Sequence, residues 1–179
     1  MMPDSTGKSP LTIDWDWRRI EDLNPIELHR ILCARAAVFV VEQNCPYQDC
    51  DENDLHAWHL TGWAATRLGR DIAAYLRVVD PGVKYAEVAF GRVLTAKRYR
   101  GAGLGRGLIV EALNRITETY GERAVRISAQ QYLERFYRSF GFATVSEPYL
   151  EDGIPHLEML RERDNDVALS TVRPSTSSG

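Results

Sequence analysis

Three glycines within five residues, Gly101, Gly103 and Gly105, stand where a strand-like run gives way to a helix-like one. Glu87 to Thr95 reads as a strand, and the stretch after the glycines reads as a helix to about Tyr120. Between them lies Arg98-Tyr99-Arg100-Gly101-Ala102-Gly103-Leu104-Gly105. Glycines let the backbone turn tightly there, so that free N–H groups at the helix start face an anion. The neighbouring arginines add positive charge. The simplest reading is a cradle for a phosphorylated ligand; a turn that merely joins strand to helix is the plain alternative.

Two well-known phosphate loops do not fit. A Walker A loop needs Gly-Lys-Ser/Thr, and here Gly105 is followed by Arg106 and Gly107. A dinucleotide fingerprint needs G-x-G-x-x-G. Counted from Gly101, Gly103 or Gly105, its last position falls on Arg106, Leu108 or Val110. What remains is R-x-x-G-x-G, Arg98 to Gly103.

The rest of the chain bounds the possibilities. A length of 179 residues suits one domain with a sizeable core. With 44% hydrophobic and 26% charged residues the body is expected to be globular. A net charge of -3 argues against a dedicated nucleic-acid binder. Ala36 to Val41 is the longest clean apolar run, too short to span a bilayer. Met1 to Pro10 has no apolar segment of a secretory signal. Cys33, Cys45 and Cys50 make no disulfide framework, so a cytoplasmic, reduced chain is expected. The organisation expected is a flexible leader over 1–10, one domain over 11–162 and a disordered tail over 163–179.

Periodicity supplies the elements. Leu11 to Trp17 alternates as a strand. Asn24-Pro25-Ile26-Glu27 is a helix start, with Leu28, Ile31, Leu32 and Phe39 as its apolar stripe. Glu42 to Asp54 reads as a loop. Leu55 to Ala64 and Ile72 to Val79 read as strands, and Ala124 to Ala129 as a short one. Gln131 to Phe140 reads as a helix stopped by Gly141. Phe142 to Ser146 and His156 to Leu160 complete the strands. The order predicts an α/β (α+β) mixed sheet, mostly antiparallel, with helices on both faces.

A second signature narrows the reading. Gln130 is followed at a short helical distance by Phe136-Tyr137-Arg138-Ser139-Phe140-Gly141-Phe142. With the R-x-x-G-x-G loop upstream, the pair resembles the GNAT acyltransferase superfamily, whose amide residue, helical Tyr and Gly-Phe follow in this way. Val38 to Tyr47 and Tyr149 to Met159 further resemble the ElaA group within it. The resemblance runs from about Asp14 to Met159.

That resemblance implies an N-acetyltransferase moving the acetyl group of acetyl-CoA directly to an amine, or alternatively an acyl-CoA sensor on the same fold. It implies that Gly101, Ala102, Gly103, Leu104 and Gly105 hold the pyrophosphate, with Arg98, Arg100 and Arg106 near the phosphates. Val93, Leu94 and Thr95 would line the pantetheine arm, with a bulge at Gly91. Gln130 and Phe136 would complete the cofactor site. A backbone N–H near Val93 would polarise the thioester carbonyl. Tyr137 is placed near the sulfur, where a phenol can protonate the leaving thiolate. For the general base, His156 is a candidate, with Glu151, Asp152 and Glu42 as carboxylate alternatives and a water chain to solvent as a further one; Glu42, His59, Glu151 and Asp152 are also candidates for holding the amine. The partners expected are acetyl-CoA and an amine on a small molecule or peptide, with a homodimer as a candidate assembly, no nucleic acid and no membrane.

The loop from Glu42 to Asp54 carries five acids and no Lys or Arg. It would attract a cationic amine, or else be a solvated loop. An EF-hand fails because Asp54 stands at its glycine and Leu60 at its last Glu. Zinc at Cys45, Cys50, His56 and His59 is disfavoured by loose spacing, so no metal is expected.

Overall fold

The computed structural model describes residues 11–67 and 69–163. The expected leader and nearly all of the expected tail lie outside the described residues. Among these residues eight strands form one sheet: β1 (Ile13–Arg19), β2 (Ala57–Thr66), β3 (Gly69–Val79), β4 (Val88–Thr95), β5 (Val125–Gln130), β6 (Ala143–Thr144), β7 (Tyr149–Glu151) and β8 (Ile154–Arg161). Their order is β1-β2-β3-β4-β5-β8-β6, with β7 paired to β8. Every pairing is antiparallel except β4 with β5.

Among the described residues three α-helices accompany the sheet: α1 (Pro25–Arg35), α2 (Leu104–Tyr120) and α3 (Glu134–Arg138). The start of α1 follows from its sequence. Asn24 Oδ1 accepts the N–H groups of Ile26 and Glu27, both at 3.0 Å, and Glu27 Oε2 accepts the Asn24 N–H at 3.2 Å. The box satisfies donors that the first turn leaves open. From Ala36 to Glu42 the helix loosens into π turns, an irregularity common near functional sites.

The two faces of the sheet carry separate cores, because neighbouring strand residues point to opposite sides. Leu76, Val88, Phe90, Ile127 and Met159 pack against Leu108, Ile109 and Ile116 of α2. Tyr75, Ile72, Trp63 and Leu94 pack on the other face against Ile31 and Phe39. Each fully buried side chain of this kind contributes roughly 1.5–3 kcal/mol. Gly62 permits the close approach of β1: a Cβ there would lie 2.7 Å from the Trp15 ring. Among the described residues no helix is long and apolar enough to cross a membrane.

Several boundaries differ from the sequence reading. The segment Glu52–His56 is a 3-10 turn, so β2 begins at Ala57 and runs to Thr66. Asp51 caps that turn, accepting the Asn53 N–H at 3.0 Å. β3 begins at Gly69. The helix expected over Gln131 to Phe140 divides into a 3-10 turn, Gln131–Leu133, and α3. The strand expected over Phe142 to Ser146 shrinks to Ala143–Thr144. β7 was not expected at all. It forms a hairpin with β8 through Asp152 and Gly153, at φ 52 and 78. Two central residues at positive φ make the turn whose twist matches paired strands.

Candidate active site

β4 and β5 pair only at Val88 with Val125 and Ala89 with Arg126. Beyond that they separate and a cleft of about 180 Å³ opens between them. Phe90, Val93, Ala129, Gln130 and Tyr137 line it from the sheet and α3. Glu151, Asp152, Ile154 and His156 line it from the β7–β8 hairpin, and Gln43, Cys45 and Tyr47 from the loop after the π turns.

The β4 wall is irregular. Tyr75 pairs with Leu94 and Arg77 with Gly91, so Arg92 and Val93 together oppose Leu76 alone. This is a bulge, as expected, but its turning residue is Arg92 at φ 51, while Gly91 lies outside the positive-φ set. A non-glycine residue in that conformation costs about 1–2 kcal/mol. The backbone of Arg92 and Val93 therefore lies outside the pairing registers with both β3 and β5. Leu94 differs from its neighbour Val93: its side chain is buried in the core beneath α1, and only its backbone can border the cleft.

Tyr137 is 5% exposed, with the rings of Phe136 and Phe142 at 5.2 and 6.0 Å. Burial pushes its phenol well above the usual tyrosine value, so it keeps its proton throughout the neutral range. Phe136 itself packs on the core and on Phe140 rather than lining the cleft.

His156 stands directly opposite Gln130 on β5 and Tyr149 on β7. Its Nδ1 is 2.8 Å from the Ile154 carbonyl oxygen. A carbonyl only accepts, so Nδ1 donates, and in the neutral ring Nε2 keeps a basic lone pair. Beside it, Ser128 Oγ lies 2.6 Å from the Tyr149 hydroxyl and donates to Glu151 Oε2 at 2.9 Å.

The glycine loop has the geometry of an anion cradle. Gly101 and Gly103 sit at φ 83 and 75, and Gly103 is the residue preceding α2. The Arg106 and Gly107 N–H groups both bond the Gly103 carbonyl, at 3.1 and 3.3 Å. Among the described residues the N–H groups from Gly101 to Gly105 take no backbone partner. A Cβ at Gly101, Gly103 or Gly105 would meet nothing within 4 Å, so the space before them is open. The arginines are engaged elsewhere. Arg98 pairs with Asp71. Arg100 bonds Glu42 at 2.7 and 3.1 Å and the Thr95 carbonyl at 3.0 Å. Arg106 reaches Ser139 Oγ at 3.1 Å and lies over the Phe140 ring.

Two residues expected at the acceptor groove are elsewhere. Glu42 does not line the cleft but faces the glycine loop, where the bond to Arg100 holds its carboxyl below the usual range. His59 is 1% exposed and absent from the cleft wall. Its Nε2 donates to the Asp54 carbonyl at 3.3 Å, and its Nδ1 accepts from the Tyr75 hydroxyl at 2.8 Å. Burial lowers its pKa, so it stays neutral.

The acidic loop is partly built into the core: Glu42 and Glu52 are exposed, but its aspartates are engaged with arginines. Asp49 and Asp54 are buried and clasp Arg35, which is 0% exposed, at 2.7 and 2.6 Å. Arg77 bonds Asp51 and Asp54 at 2.6 and 2.7 Å. Arg92 completes the cluster through Asp49, its Nε 2.7 Å from Oδ1. Burial alone would raise the Asp54 carboxyl; its bonds to Arg35 and Arg77 outweigh that and hold it below the ordinary range. Burial also pushes the Tyr47 phenol up to about 12. The arginines come from α1, β3 and β4, which is why the acidic segment alone could not reveal them. Among the described residues no group of three or more His, Cys, Asp or Glu is placed to hold a metal.

Open N–H groups at the start of α2 and separated strands beside them suit a nucleotide-linked thioester. The family model of the acetyltransferase (GNAT) domain matches residues 42–163. The chain belongs to the GNAT acetyltransferase family. Within it the chain is ElaA-like: it is 40% identical over 152 residues to protein ElaA of Escherichia coli, covering 84% of this chain and 97% of that one. A UPF0039 protein of Synechocystis is 39% identical over 150 residues, covering 84% and 96%. Among solved structures, an acyl-CoA N-acyltransferase from Pseudomonas aeruginosa superposes with a TM-score of 0.78 at 40% identity, covering 84% of this chain and 99% of that chain. Escherichia coli ElaA superposes at 0.77 and 38%, covering 84% and 100%. Sequence reasoning missed Arg92 and Ser128, whose places depend on the sheet, and Tyr47, which is set by its contacts with Asp49 and Arg92. It also passed over Asp152-Gly153, a legible hairpin signal.

Proposed function

We propose that the protein transfers the acetyl group of acetyl-CoA directly to the amine of an acceptor. The observation that carries this reading is the convergence of Tyr137 and His156 on one cleft, between strands that have left their pairing, in a chain whose α2 starts with open N–H groups and is tied by Arg106 to Ser139 just after α3. The residues fit a CoA thioester, which supplies the activated acyl group when bound. The N–H groups from Gly101 to Gly105 bind its pyrophosphate, with Arg106 the nearest guanidinium along α2. Backbone groups of Val93 to Thr95 and the Gln130 amide pair with the pantetheine arm. The unladdered backbone at Val93 supplies an N–H to the thioester carbonyl, where negative charge develops.

Tyr137 holds a proton for the departing sulfur, and its buried position keeps that proton in place at neutral pH. His156 Nε2 accepts the proton of the attacking amine. Glu151, anchored by Ser128, and Asp152 border the same cleft and orient the acceptor. The test is release of free CoA from acetyl-CoA across an amine panel. Amine-dependent release that falls in Tyr137→Phe supports transfer. Tight CoA binding without release for any amine would turn the reading into an acyl-CoA sensor.

A further inference from the structure

Arg92 stands in the cleft wall with an unusual backbone, and its side chain is held by an ion pair to Asp49 and by two aromatic rings. It is left-handed at a bulge, a place that usually takes glycine. Its Nε is 2.7 Å from Asp49 Oδ1, its Nη2 3.4 Å from the Asp49 carbonyl and 3.7 Å from Asp51 Oδ2. The guanidinium also sits over the rings of Tyr47 and Phe39, at 5.4 and 5.9 Å. Asp49 is in turn fixed by Arg35 and by the Tyr47 hydroxyl, at 2.7 and 3.2 Å. The contacts join three separate chain segments on one side chain. A strained conformation persists only where its surroundings over-determine it, and here they do.

We propose that Arg92 is a positioning residue: anchored by Asp49, it holds the β4 bulge so that the adjoining Val93 backbone N–H meets the acyl carbonyl of the thioester. This rests on the cleft being the acyl-CoA site. The buried Arg35–Asp49–Asp54–Arg77 cluster then has a role beyond stability. It transmits the rigidity of α1 and β3 to the strand that carries the carbonyl donor.

The test compares affinities for acetyl-CoA and for S-ethyl-CoA, a thioether that lacks the carbonyl, by calorimetry, with free CoA as the baseline of each variant. The native protein is expected to favour acetyl-CoA over the thioether about fivefold, the factor supplied by one hydrogen bond of ordinary net strength. Arg92→Gly keeps the bulge conformation sterically allowed but removes the anchor, and is expected to bring that ratio to about one. Asp49→Asn should lower it in the same direction, and Arg92→Lys should recover part of it through its remaining charge. A merely structural role would lower the melting temperature and leave the ratio unchanged. An unchanged ratio in Arg92→Gly, no carbonyl preference in the native protein, or failure of Arg92→Gly to fold would each overturn the proposal. Absence of any CoA binding by the native protein would instead overturn the cofactor reading beneath it.

Discussion

Two loops attract notice in this sequence, one rich in glycine and one rich in acid, and the fold treats them oppositely. The glycine loop before α2 keeps its backbone N–H groups open, although its arginines are paired with Asp71, Glu42 and Ser139. The acidic loop looked equally ready for a ligand, yet its aspartates are spent on Arg35, Arg77 and Arg92. The difference lies in what each loop needs from the rest of the chain. Backbone donors at a helix start are available by local geometry alone. Carboxylates are available only if no distant cation reaches them, and burial beside arginine makes them part of the core.

The largest effect expected is at the acidic loop. Arg35→Met leaves Asp49 and Asp54 buried without their main cation. Breaking a buried pair from one side costs about 3–5 kcal/mol. Urea denaturation checks this, and a loss below about 1 kcal/mol would mean that the loop is not welded to the core. At the other loop, Gly103→Val should weaken CoA binding by more than about 100-fold, because a branched side chain at φ 75 fills the open space and strains the turn. Calorimetry with CoA reads it directly, and intact binding in a folded variant would remove the cradle assignment.

Tyr137→Phe should lower turnover roughly 100-fold, the lower end for a general acid, with CoA affinity near normal. Turnover equal to the native rate at several pH values would take Tyr137 out of that role. A smaller effect concerns pH. His59 is kept neutral by burial, so its folded pKa lies below its unfolded value of about 6.5. The unfolded chain then binds more protons as pH falls below that value, and stability is lost on acidification from about pH 6.5 downward. Asp51 and Asp54, whose folded values are also depressed, add their loss below about pH 4. His59→Gln should flatten the melting-temperature profile between pH 5 and 7 while leaving the decline at lower pH. The smallest change is expected from Glu42→Gln. The Glu42–Arg100 pair is about two-fifths exposed on each side, so stability should shift by less than about 1 kcal/mol.

Legibility followed the range of each interaction. The Asn24 box, the Gly103 turn into α2 and the Gly141 stop were readable because each is decided within a few residues. The Asp152-Gly153 hairpin was equally local and was simply passed over. His59 and Glu42 were misplaced because their partners, Tyr75 and Arg100, lie 16 and 58 residues away. Arg92 could not be singled out, since nothing in its own neighbourhood marks a left-handed residue anchored by an aspartate more than forty positions earlier.

From the linear chain alone came the strand–glycine–helix cradle, the mixed sheet and the likeness to GNAT enzymes, because turn chemistry and side-chain periodicity act between near neighbours. Only tertiary packing decided which charges would be consumed as core and which would remain at the cleft. An ion pair depends on where the chain returns, and that is a property of the whole sheet rather than of either residue.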